Sequence, residues 1–449
     1  MPGMRRCGVG LVGAGTVGGG VAETLLTRGD LLARRSGVDV DLAMAADQDV
    51  ARALAAGVPA GRVVDDYRKV VVNPGVDIVV ELMGGVGTAH EVVMAALDAG
   101  KHVVTANKAL LAERGADIFR KAREKKLVVA FEAAVAGGIP LLLALREGLI
   151  ANRVRSLLGI VNGTSNYILT AMTEKSLPFA TALQEAQRLG FAEADPSADI
   201  DGKDSGHKLS LLSALAFDTW IDFSQLHIEG IRGIQDADIR IASYLGYVPK
   251  LLGVIRAEPG PGAAGDDDGG EAADGARLFL SVHPALLRAT HPLAGVSGSL
   301  NAVETESDLA LESMFYGRGA GRFPTASAVV ADIVAVAKSV AFGGPGPAWL
   351  PPERNACRVA PFDDYRARHY LRFIVRDVPG VLGTLATALG AKDVSIAAMH
   401  QFEAERSDGY ASVCLVTHNA REGNVAQALR DISALELLHE PPVLIRIEG

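Results

Sequence analysis

The sequence predicts an α/β protein in three parts. Residues 1–135 read as a doubly wound parallel sheet, completed by about 310–342. Residues 136–310 read as an α+β unit, and 367–449 as a smaller βαββαβ module. Three observations predict this. Short apolar runs alternate with helix-length amphipathic stretches in the first part. A turn of regularly spaced glycines directly follows the first apolar run. A Pro- and Gly-rich stretch, Gly343–Pro361, reads as a linker that extends over 343–366 and sets the final module apart.

Cys7–Val12 is the first strand candidate, and a helix from Val17 to about Ala33 follows the glycine turn. Val38–Ala46 is the second strand. Val76–Met83 is a continuous apolar run closed by Gly84 and Gly85, the pattern of a strand covered on both faces. Lys101–Thr105 and Leu127–Phe131 are two further strands, with helices at His90–Ala99 and Ala109–Lys125. In the middle part, Ile139–Gly148 reads as a helix and Val154–Val161 as a strand. Helices follow at Thr164–Thr173, Phe179–Leu189 and Gly202–Phe217. Residues 250–306 read mostly as β, with Leu251–Ala257 and Ala276–Val282 flanking a small, acidic hairpin tip, Pro259–Gly275. Pro324–Ala341 is a helix. The last module orders as strand (Tyr370–Val375), helix (Val381–Leu389), two strands, helix (Val425–Ile432) and strand.

Composition narrows the function classes. A chain of 449 residues with 49% hydrophobic content can bury a large core. A net charge of −9 argues against a general nucleic-acid binder, which needs a basic footprint. Cys7, Cys357 and Cys414 cannot form a disulfide framework, so a reducing, cytoplasmic compartment is expected. Arg5 and Arg6 precede an apolar stretch, but the glycines within it read as strand and turn rather than signal peptide. No charge-free apolar run reaches the length of a membrane span. His-Glu-x-x-His and Gly-x-Ser-x-Gly patterns are absent.

Gly13-Ala14-Gly15-Thr16-Val17-Gly18 fits G-x-G-x-x-G between a strand and a helix. The spacing serves a tight turn, close approach of a pyrophosphate, and helix–strand packing, and the helix N-terminus offers free N–H groups to phosphate. Read blandly, it is an ordinary tight turn. Asp47 stands at the end of the second strand, where an acid bonds the ribose hydroxyls and repels a 2′-phosphate, which favours NAD over NADP. A solvated strand-end acid is the plain alternative. Further on, Glu193, Asp195, Asp199, Asp201, Lys203, Asp204, His207 and Lys208 crowd one stretch. Asp204 and Lys208 are four apart and share one helix face. This is either a surface ion pair or, if buried beside a cofactor, a proton-handling device.

The run from Ala186 through Gly190-Phe191-Ala192-Glu193-Ala194-Asp195-Pro196, Asp199-Ile200, Gly202 and Asp204 to Lys208 closely resembles the signature of the homoserine dehydrogenases. Thr105-Ala106-Asn107-Lys108, Glu132–Pro140, Asn162–Tyr167 and Gly319-Ala320-Gly321 resemble other segments of that family, in the same order, over roughly residues 5–342. The resemblance implies a Rossmann-type dinucleotide-binding domain and a substrate and dimerisation domain. It also implies interconversion of L-aspartate 4-semialdehyde and L-homoserine with NAD or NADP. Lys208 is then the proton donor, Lys108 a second active-site lysine near cofactor and substrate, and Asp204 the residue that orients them. Glu193 and Asp199 hold the substrate ammonium, and Gly163 and Thr164 form a substrate-contacting turn. Gly13, Gly15, Thr16, Val17, Gly18, Asp47, Gly84, Thr105, Lys108, Gly319 and Gly321 face the cofactor. Glu132, Val135, Gly137 and Ile139 match a monovalent-cation site, with Na⁺ in a structural role. Arg318 and Arg322 depart from the family pattern and either touch cofactor phosphates or face solvent.

Asp377-x-Pro379-Gly380-Val381-Leu382-Gly383, followed by Val394-Ser395-Ile396, resembles the opening of an ACT domain. That ACT-like tail implies feedback by an amino acid, L-threonine foremost, or a role in subunit assembly alone. A homodimer or homotetramer is implied. The neighbouring chemistry, aspartate-semialdehyde dehydrogenase, needs a mid-chain nucleophilic cysteine, and none is well placed. A non-catalytic amino-acid sensor is the third reading, and it predicts no turnover with homoserine.

Overall fold

Cys7, Val9 and Leu11 are fully buried, and their apolar run forms strand β1 (Arg5–Val12) of a computed structural model that describes residues 4–259, 276–344, 356–402 and 409–449. Around β1 lie β2 (Val38–Ala46), β3 (Val63–Val64), β4 (Ile78–Glu81), β5 (His102–Thr105) and β6 (Val129–Ala130). Their order is β3-β2-β1-β4-β5-β6, and every pairing is parallel. This is the doubly wound order of dinucleotide-binding sheets, which reverses direction beside β1. The sequence pattern misses β3, because two residues are too short to show a period.

Helices cover both faces of this sheet. On one side Thr16–Ser36 and Arg322–Phe342 bury Val21, Leu25, Val329, Ile333 and Val336 against Val9 and Leu11. On the other, Gly87–Asp98 and Lys108–Lys125 bury Val92, Val93, Leu110 and Ile118. Arg322–Phe342 is the one helix among the described residues long and apolar enough to cross a membrane. Half of its most apolar window is buried in this core, and it carries the buried Asp332.

A second sheet carries the rest of the chain. Its order is Leu311–Arg318, Leu300–Ser307, Val154–Ile160, Tyr247–Glu258, Ala276–Arg288, Val443–Glu448, Arg366–Arg376, Tyr410–Thr417 and Ile396–Phe402. The first five strands belong to the middle part and the last four to the C-terminal βαββαβ module. The module packs Leu385, Leu389, Val425 and Ile432 of its two helices on Leu371, Phe373, Val413 and Leu415. The two parts share one continuous sheet. Val443–Glu448 pairs in parallel with Ala276–Arg288 and antiparallel with Arg366–Arg376.

Several expectations change here. The hairpin tip and the centre of the expected linker lie outside the described residues. The described end of 343–366 is built into the fold. Cys357–Val359 pairs with Ala276–Leu278, and Tyr365 is buried with its hydroxyl donating to Glu448 (2.7 Å). Apolar and hydrogen-bonding residues inside a Pro- and Gly-rich stretch give it a docked course. The expected helix Ile139–Gly148 is a single α-turn, Leu141–Leu143, that widens into a π-helix over Ala144–Gly148. The Glu132 carboxylate takes the N–H groups of Leu142 and Leu143 at its start.

The seam between module and middle part is charged and buried. Arg446, 2% exposed, sits between Glu229 and Glu422, and Arg372 bonds Asp238 (2.6 Å). Burial disfavours the charged form of Glu422. His369 and Arg446 outweigh it and hold the carboxyl down at about 2. A depressed carboxyl stabilises the fold fully above its unfolded value of about 4.3 and loses that contribution as pH falls through the folded value. Glu422→Gln should therefore lower Tm at neutral pH and flatten the loss of Tm between about pH 4 and pH 2. Thermal melts across that range test this, and parallel curves for the two proteins refute it.

Candidate functional site

The glycine turn closes on itself. Gly13 adopts φ +95°, and a side chain there would press on the Leu82 backbone at 2.7 Å. A side chain at Gly18 would strike the Gly13 carbonyl. Gly15, by contrast, faces open space and caps the helix Thr16–Ser36 without a side-chain bond. The N–H groups around Thr16 and Val17 thus start a 21-residue helix with no anionic side chain in its first turn. Crowding behind the turn and room in front of it fit a pyrophosphate.

Asp47 lies beside this turn but is already engaged. Its Oδ2 accepts from the Ala14 N–H (2.6 Å) and its Oδ1 from the Asp49 N–H (2.9 Å). It therefore braces the turn as well as lining a cleft of about 540 Å³. Asp65, Asp66, Arg52 and Arg68 line the same cleft, and each arginine bonds an acid, Arg52 to Asp49 and Arg68 to Asp66.

Across β4 and β5, Thr105 donates its hydroxyl to Glu81 (2.7 Å), which is fully buried and also accepts from Met83 N–H. Burial pushes the Glu81 carboxyl up, against the bonds it accepts. Asn107 Nδ2 donates to the Gly85 carbonyl (2.6 Å), so Thr105 and Asn107 shape the Gly84–Gly85 loop. Thr105 is thus a brace behind that loop.

The charged cluster converges on one carboxylate. Lys203–Ala216 carries Asp204 and Lys208 on one face. Lys208 Nζ reaches Asp204 Oδ2 (2.7 Å) and the Val161 carbonyl (2.6 Å). Lys108, at the start of its helix under β5, reaches Asp204 Oδ1 (3.0 Å). Burial opposes ionisation of Asp204, but Lys208 and Lys108 outweigh it and hold its carboxyl well below the usual range. Asp204 in turn raises the Lys108 ammonium above an ordinary lysine, against burial. At Lys108 the ion pair thus outweighs burial. Asn162 Nδ2 donates to Asp199 (2.7 Å) and Asp204 (2.9 Å). Burial raises the Asp199 carboxyl. Thr164 donates to the Phe191 carbonyl (2.7 Å), Gly163 packs under Ser299, and Glu193 is exposed at the rim.

Glu132, Val135, Gly137 and Ile139 lie in one irregular segment. The Ile139 carbonyl accepts from Leu141, whereas among the described residues the Val135 and Gly137 carbonyls take no backbone donor. Both oxygens of the Glu132 carboxylate are engaged by the Leu142 and Leu143 N–H groups. Gly138 N–H donates to the Arg318 carbonyl, which ties this segment to the loop Gly319–Gly321 ahead of helix Arg322–Phe342. Gly319 packs on Asn301. Arg322 bonds Glu23 (2.8 Å).

Sequence reasoning leaves Asn162, Glu81, Asn107 and Asp332 out of the site. Asn162 and Asn107 each cap a helix, which their position ahead of a helical stretch signals. Glu81 is an acid inside an apolar strand run, a signal in itself. Asp332 accepts the Glu132 N–H (2.7 Å), and burial pushes its carboxyl up to about 7. Nothing in its helical pattern marks it.

Comparison with known proteins gives the family and the fold. The homoserine dehydrogenase family profile matches residues 140–334, the homoserine dehydrogenase NAD-binding domain 13–132, and the ACT domain 369–436. Homoserine dehydrogenase of Neisseria gonorrhoeae is 43% identical over 99% of both chains, and that of Pseudomonas aeruginosa 42% over 99% of both. The crystal structure of a homoserine dehydrogenase from Thiobacillus denitrificans superposes with TM-score 0.88 at 40% identity, covering both chains fully. Gly18→Ala should weaken NAD(P) binding by roughly tenfold or more, since the turn can no longer close. Titration calorimetry tests this, and an affinity within about twofold of the parent would remove the turn from the cofactor site.

Proposed function

The chain belongs to the homoserine dehydrogenase family, and from that premise we propose how its side chains divide the work. It is an NAD(P)-dependent oxidoreductase that interconverts L-aspartate 4-semialdehyde and L-homoserine. The observation that carries the assignment is the Asp204 carboxylate with one lysine on each oxygen.

An ammonium has three N–H donors. Lys208 spends two on Asp204 and the Val161 carbonyl, which leaves the third for the substrate oxygen. In reduction Lys208 gives a proton to the developing alkoxide; in oxidation its neutral amine takes the hydroxyl proton. Asp204 stays ionised and so orients both lysines without competing as a donor. Lys108 sets a fixed positive charge near the developing oxyanion. When bound against the glycine turn, the nicotinamide cofactor supplies or accepts the hydride. Asp199, steadied by Asn162, and Glu193 at the rim bind the substrate ammonium, with Gly163 and Thr164 shaping the turn beside them. Gly84, Gly319 and Gly321 give backbone access to the cofactor.

NAD is the preferred cofactor in this reading. The engaged Asp47 and the nearby Asp65 and Asp66 support it, because a 2′-phosphate would meet negative charge. Na⁺ at Glu132, Val135, Gly137 and Ile139 would pin the segment behind the site. Residues 1–135 with 319–342 hold the cofactor and 136–318 the substrate, since Leu311–Arg318 is a strand of the second sheet and moves the boundary on from the expected 310, and 367–449 regulate. The loop at Pro379–Gly380 lines a cleft of about 370 Å³ with Leu382, Gln401 and Val413, of a size for a small amino acid such as L-threonine. The exposed edge strand Leu311–Arg318, with Leu311 and Tyr316 outward, supports a homodimer or homotetramer. Three buried, unpaired cysteines fit a reducing cytoplasm.

Lys208→Ala should lower kcat by about 10²-fold or more. Asp199→Asn should raise KM for homoserine by roughly tenfold with a smaller change in kcat. Steady-state homoserine oxidation measures both, and near-parent constants would remove either residue from its role. Asp47→Asn should shift the kcat/KM ratio toward NADP by roughly tenfold. An unchanged ratio, or a parent enzyme that prefers NADP, would overturn the cofactor reading.

A further inference from the structure

We propose that Arg446 and Glu229 are positioning residues for the substrate site, through which the C-terminal module sets the placement of Asp199. The proposal rests on the reading that Asp199, Asp204 and Lys208 form that site.

Arg446 belongs to the strand Val443–Glu448, yet its guanidinium grips the middle part. Nη1 and Nη2 bond the two Glu229 oxygens at 2.7 and 2.9 Å, a bidentate pair. Nε bonds Glu422 (3.1 Å), on the module's own helix Glu422–Ser433. The arginine is therefore fixed in its plane by the module and passes that orientation to Glu229. Glu229 is held by further bonds, from its N–H to the Val282 carbonyl (2.7 Å) and from His227 Nε2 to its Oε1 (2.7 Å).

The residues after Glu229 press directly on the site. Ile231 N–H donates to the Ile200 carbonyl (2.8 Å), one residue beyond Asp199. A side chain at Gly230 would overlap the Ile200 carbonyl and stand 2.6 Å from the Asp201 Cα, so the two backbones touch. Gly202, at φ +82°, then turns the chain into the helix that carries Asp204 and Lys208, against Ile228 and Val282. One side chain, two residues of backbone and one hydrogen bond thus separate the module's arginine from the neighbour of Asp199. Loss of the pair lets Ile231 retreat and loosens Asp199. Asp204 itself stays fixed by two lysines and Asn162. The defect should therefore fall on substrate binding and spare the chemical step.

The test compares Glu229→Gln and Arg446→Lys in the full chain, with Asp199→Asn alongside. KM for homoserine should rise roughly tenfold in both, within the span that remote couplings reach, while kcat and KM for the nicotinamide cofactor stay within about twofold. The double variant should be no worse than the worse single, because both act through one pair. Glu229 is partly exposed, so Glu229→Gln keeps the test open should Arg446→Lys not fold. If Asp199→Asn raises KM and folded Glu229→Gln does not, the proposal is wrong and the site reading stands. If Asp199→Asn leaves KM unchanged, both fall. A drop in kcat and Tm with no change in KM also overturns the proposal, since that is the mark of a merely structural pair.

Discussion

The Asp204 carboxylate cannot stay charged in a buried position on its own, and its two counter-charges come from different parts of the chain. Lys208 arrives along the same helix, one turn away. Lys108 arrives from the helix that follows β5, in the nucleotide-binding part. Removing a charge from water costs several kcal/mol unless it is paired and hydrogen-bonded. Satisfying that one group adds a charged tie to the apolar core that already runs from the nucleotide sheet into the middle part. Asn162 completes the arrangement by bonding Asp204 and Asp199 together.

Sequence and structure part company in ways that have physical causes. The glycine turn, the parallel order of strands and the shared face of Asp204 and Lys208 are legible because they depend on local spacing. Asn162, Asn107 and Glu81 act by bonding partners 20 or more residues away, Asn162 to Asp204 across 42, and no local period carries that information. Asp47 is found by position, but its engagement with the Ala14 amide depends on how β1 and β2 end side by side. Lys108 enters the site through resemblance to a family; its own sequence neighbourhood is that of a helix start.

The C-terminal part is the clearest case. Its βαββαβ order follows from pattern, and so does its separation by a Pro- and Gly-rich stretch. What pattern cannot give is that Val443–Glu448 pairs at once with a strand of the middle part and a strand of its own module. The seam is lined by Arg446, Arg372, Glu422 and Glu448, each within 6% exposure. Removing one partner of such a buried pair leaves an uncompensated charge, so each side of the seam depends on the other.

The shared strand has a cost for any shortened form of the protein. Without Val443–Glu448, the backbone of Ala285–Leu287 becomes an open edge on a long, apolar strand. Unpaired strand edges of that kind recruit other strands. The module thus serves as the cover of a sheet as well as its neighbour, and a chain that lost its ACT part would gain a sticky flank.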